Sequence, residues 1–86
     1  MIVGLNRLVE HGGRQFHVQV EDLGEQQACF EVRVHEGGGV IWRKKVGYED
    51  VLARNLPKAE RDEAVSGSME KTLHTVEAAI ARGKLP

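Results

Sequence analysis

One cysteine, Cys29, has no second thiol in the chain to meet, so an internal disulfide is excluded and nothing points to an oxidising compartment. Excess charge is missing too. Twelve Lys and Arg stand against thirteen Asp and Glu, with six of each sign in residues 1–46 and six basic against seven acidic in the remainder. Such a balance does not favour bulk attraction to nucleic acid or anionic lipid. No run approaches the ~20 apolar residues of a membrane span. The opening stretch meets Arg7 too early for a signal-peptide core. These absences set the expectation of a cytoplasmic chain with no membrane segment. Aromatic residues are few, and Phe16, Phe30, Trp42 and Tyr48 must anchor whatever core forms.

What is abundant is alternation. Phe16, Val18 and Val20 alternate with His17, Gln19 and Glu21. Past a turn at Asp22-Leu23-Gly24-Glu25, Ala28, Phe30, Val32 and Val34 alternate with Cys29, Glu31, Arg33 and His35. A period of two puts one set on each face of a strand, which predicts a meander buried on one side. Residues 2–10 read as a first strand, joined through Gly12-Gly13, a pair suited to a type I′ hairpin. That turn sets Val9 opposite Phe16 and Leu5 opposite Val20, brings Val3, Leu5 and Val9 to the apolar face, and leaves Arg7 to snorkel. Gly37-Gly38-Gly39 precedes the last strand, where Val40 and Trp42 are expected inside and Ile41, Arg43 and Lys45 outside.

The pattern changes after Gly47. Residues 48–54 predict a short helix presenting Val51 and Leu52. A long helix is expected over 57–82, because Val65, Met69, Leu73, Val76 and Ile80 recur at helical spacing and form one stripe. Gly67 within it predicts a tight contact or a bend. Arg82-Gly83-Lys84 forms a stop. The expectation is a single domain over 1–86 of α+β class: a four-stranded antiparallel meander over 2–46, then the two helices, with the long one across the inner face (ββββα).

Three function classes compete. The outer face offers His17, Gln19, Glu21, Glu31, Arg33, His35, Arg43 and Lys45 as a candidate binding surface. A short second turn would set His17 opposite Glu31, and Glu31 beside Arg43 or Lys45. The same residues are also what a solvated face with paired charges requires. A nucleic-acid module would use Arg33, Trp42, Arg43, Lys44 and Lys45, since a sheet backed by a helix can enter a major groove and phage integrase N-terminal domains share that general plan. Glu21, Glu31, Glu36, Glu49 and Asp50 surround that cluster and oppose phosphate. Lysines at a last strand also protect an edge from aggregation. The third class is an enzyme or small-ligand carrier using the His17 face. No Cys-x-x-Cys, His-x-x-x-His or nucleophile elbow accompanies it, so no metal, cofactor or catalytic residue is expected.

The stretch Phe16-His17-Val18-Gln19-Val20-Glu21-Asp22-Leu23-Gly24, followed by Gly38-Gly39-Val40-Ile41 and a helical tail, resembles a group of small bacterial domains with an aromatic-His-x-Gln-x-Glu-Asp strand. No activity attaches to that group, so the resemblance transfers no residue roles. It singles out His17, Gln19, Glu21 and Asp22. The leading expectation is a protein-interaction domain without catalytic activity. It would self-associate as a homodimer through a sheet edge, or through a face that mixes Leu8, Cys29 and Ile41 with charges.

Overall fold

Gly12 and Gly13 take φ of +58° and +77°, the left-handed pair that a two-residue hairpin needs. They fold β1 (Leu5–His11) onto β2 (Arg14–Asp22), with Val9 facing Phe16 and Leu5 facing Val20 as the turn chemistry requires. Gly37 and Gly38, at +60° and +85°, repeat the device between β3 (Cys29–Glu36) and β4 (Gly39–Gly47). The computed structural model describes residues 2–85. Its strands form one antiparallel sheet in the order β1-β2-β3-β4, followed by α1 (Glu49–Leu52) and α2 (Lys58–Ala81). The chain is therefore the α+β meander with a C-terminal helix that its periodicity predicts.

α2 lies over the inner face, mainly on β1 and β2 and less on β3. Its stripe of Val65, Met69, Leu73, Val76 and Ile80 is buried against Phe16, Val18, Val20, Phe30, Val32 and Val34. Arg7 sits on this covered side and reaches Glu77 of α2 at 3.5 Å, so the misfit in β1 is answered by a charge on the helix. The helix ends in a Schellman arrangement. Gly83 has φ of +66°, its N–H donates to Ile80 O, and Lys84 N–H donates to Ala79 O. No helix is long and apolar enough to cross a membrane among the described residues.

Four local expectations fail, each for a visible reason. The second turn is longer than Asp22–Glu25. Ala28 N–H donates to Gly24 O, and Ala28 takes φ of +53°, so Ala28 belongs to the turn and not to β3. His17 consequently faces His35, four residues beyond Glu31. An even displacement preserves the faces, which is why the core is unaffected.

The second failure is in β4. A β-bulge shifts the register, with Val34 facing Trp42 and His35 facing Val40, so Ile41 is the extra residue. Val40 is thus paired with an outer-face residue and 40% exposed, and Ile41 turns to a cleft with Phe16, Ile80 and Leu85. Their expected sides are exchanged, while Trp42 stays inside.

The third concerns the first strand, which starts at Leu5. Val3 precedes it, is 84% exposed and joins no core.

The last is Gly67, where an added Cβ would meet nothing within 4 Å. The tight-contact alternative for Gly67 therefore fails, and Gly67→Ala should stabilise the fold by about 0.5–1 kcal/mol through helix propensity. Equilibrium denaturation checks this, and a destabilised variant would contradict the open environment.

Candidate functional site

The register assembles the outer face into three lateral rows. Leu8, His17, His35 and Val40 form the first, Asn6, Gln19, Arg33 and Arg43 the second, and Glu21, Glu31 and Lys45 the third. All eight residues of the predicted binding face, His17, Gln19, Glu21, Glu31, Arg33, His35, Arg43 and Lys45, therefore share one side of the sheet. The expected contact of His17 with Glu31 does not form, whereas Glu31 does stand opposite Lys45.

Side-chain chemistry divides this face. At its centre His17 Nε2 lies 3.0 Å from Asn6 Oδ1, which also accepts from Gln19 Nε2 at 3.2 Å. His35 Nε2 lies 2.8 Å from Gln19 Oε1, and the two imidazole centroids are 5.7 Å apart. With amide oxygens as partners both Nε2 atoms donate, so the four side chains form one tied network. Asn6 escaped the sequence reading, although the hairpin register already set it opposite Gln19. Among the described residues no group of three or more His, Cys, Asp or Glu side chains is placed to hold a metal ion.

Arg33 holds the acidic end. Its guanidinium meets Glu21 at 2.7 Å and Glu31 at 3.5 Å, which offsets the like charge of Arg43 directly opposite. Its Nε has no hydrogen-bond partner among the described residues. Glu36 is occupied by Arg14, in a two-pronged contact at 2.6 Å that holds the Glu36 carboxyl below and the Arg14 guanidinium above their usual ranges. By contrast, no ion pair among the described residues involves Arg43, Lys44 or Lys45. The five candidate nucleic-acid contacts fall on two sides. Arg33, Arg43 and Lys45 lie with the outer rows, and Trp42 and Lys44 face a groove beside α2.

One buried polar pair was not legible from spacing. Tyr48 donates from its hydroxyl to Asp22 Oδ1 at 2.7 Å, and the same oxygen accepts from Gly24 N–H at 3.0 Å. Burial, and then the Asp22 carboxylate, push the Tyr48 hydroxyl well above its usual range. With Tyr48 N–H donating to Ala28 O at 2.8 Å, the pair ties the long turn to the start of α1. Asp22 is thus a structural acceptor at a strand end.

The sheet has two open edges, and they differ. A two-residue turn makes His11 and Arg14 a hydrogen-bonded pair, so in β1 the backbone groups of Asn6, Leu8 and Glu10 point outward. Leu8 is 64% exposed there, and Ile2, Val3, Leu5 and Met69 line an open cleft of about 360 Å³ beside the same edge. The β4 edge carries Arg43, Lys44 and Lys45.

In comparisons with protein-family models, with curated proteins and with solved structures, nothing matches this chain.

Proposed function

We propose that the chain is a cytoplasmic, non-catalytic protein-interaction domain that self-associates by antiparallel pairing of two β1 edges into a continuous sheet. The observation that carries this reading is the β1 edge itself, with outward Asn6, Leu8 and Glu10 backbone groups beside exposed Leu8 and Val3. A two-fold axis through Leu8 pairs the whole strand. Leu8 meets its symmetry mate, Asn6 meets Glu10, Arg7 meets Val9 and Leu5 meets His11, with no like charges opposed. Pairing centred on Arg7 would oppose two arginines. Two β4 edges centred on Lys44 would set Arg43 against Lys45 and Lys44 against itself, which disfavours that alternative. The buried lone thiol Cys29 is in keeping with a reducing compartment.

Sedimentation at micromolar concentration should give a dimer. Leu8→Lys should give a monomer with an unchanged circular dichroism spectrum, because Leu8 is exposed in the protomer and its loss leaves no cavity. A wild type that stays monomeric would remove self-association, and a dimer insensitive to Leu8→Lys would move it to another surface.

A further inference from the structure

α2 covers β1 and β2 more fully than the far side of the sheet, and the inner face of β4 is left bordering a groove of about 400 Å³. Trp42, Val46, Val76 and Leu85 line it, and Lys44 and Lys71 stand on its sides without an ion-pair partner among the described residues. Arg43 and Lys45 alternate with Trp42, Lys44 and Val46 along the same edge strand. We infer that the β4 edge receives an extended acidic segment of another protein as a fifth strand. Apolar side chains of that segment would enter the groove onto Trp42 and Val46, and its carboxylates would face Arg43 and Lys45 on the outer side.

The charge of the edge selects this occupant. The consecutive cations Arg43, Lys44 and Lys45 oppose a second β4, and β1 of another copy brings Arg7 with it. The acidic residues Glu60, Asp62 and Glu63 of this chain are held in α2 and supply no free strand. Strand addition gives backbone hydrogen bonds for affinity and alternate side-chain positions for selectivity. The groove lies at the edge opposite β1, so the inference stands apart from self-association.

Trp42 is the one tryptophan of the chain, which makes its fluorescence a local reporter. The probe is a blocked ten-residue peptide of alternating glutamate and valine, titrated at low salt. A lysine–valine peptide and a mixed-sequence single-stranded DNA serve as competitors. Saturable blue-shifted emission with the glutamate peptide is expected, weakening severalfold as salt rises from about 0.05 to 0.5 M. The double variant Arg43→Gln/Lys45→Gln should bind about fivefold more weakly, the loss expected of two exposed charge pairs. Trp42→Phe, followed by calorimetry, should weaken binding without abolishing the circular dichroism of the fold. Any of three results overturns the inference. They are equal response to the lysine peptide, tighter binding of the DNA, and a concentration-dependent Trp42 shift without peptide, which would place a second copy in the groove.

Discussion

Phe30→Ala is expected to lower the unfolding free energy by about 3–5 kcal/mol, the cost of removing a fully buried aromatic ring and leaving its cavity. Phe30 has no exposed surface and lies in β3 between Asp22 and Val46, within the core that α2 closes. Domains of this size have roughly 5–15 kcal/mol in all, so the loss is a large fraction of the total and the variant should melt well below wild type. Val3→Ala is the internal comparison. Val3 is almost fully exposed, and its truncation should change stability by less than about 0.5 kcal/mol. Denaturant titration of both proteins checks the assignment, and a Phe30→Ala variant that melts with wild type would mean the faces are exchanged.

Tyr48→Phe should cost about 1.5–3 kcal/mol, because it deprives the buried Asp22 carboxylate of one of its two donors. The same pair gives a pH dependence of known sign. Folding raises the Tyr48 hydroxyl above its ordinary value of about 10. The resulting stabilisation is complete below that value and is lost as pH rises toward the folded-state one. Tyr48 is the sole tyrosine, so phenolate absorbance follows it without interference. Wild type should lose stability in alkali faster than Tyr48→Phe, with the phenolate appearing as the protein unfolds. A phenolate that titrates near 10 in the folded protein would contradict the buried pair.

How far the sequence could be read depends on the type of interaction. Val18, Val20, Val32 and Val34 announced their face through a period of two, which survives any even slip in register. Val65 to Ile80 announced theirs through helical spacing. The Gly12-Gly13 pair indicated the first register through its type I′ turn, while the weak alternation of residues 2–10 did not fix it by itself. The second register was not accessible, since Ala28 in the left-handed region is a tertiary outcome, held by its carbonyl accepting from Tyr48 N–H. The bulge at Ile41 was hidden for a similar reason, as its neighbours are all apolar and either side could be buried. On the outer face the members were legible, and so was Glu31 beside Lys45, but the partners across β2 and β3 were not. His17 faces His35 because of that longer turn and meets Asn6 across the first hairpin, and Arg33 takes the glutamates left to it. Tyr48 and Asp22 are far apart in sequence and meet only once the sheet is closed.

The central claim is that two β1 edges join, and amide hydrogen exchange of Asn6, Leu8 and Glu10 tests it most directly. Their N–H groups point away from β2, so in a single protomer they face solvent and exchange rapidly. Paired edges protect all three together, and the protection should fall on dilution and vanish in Leu8→Lys. Fast exchange at these three amides, at a concentration where sedimentation shows a dimer, would contradict the account.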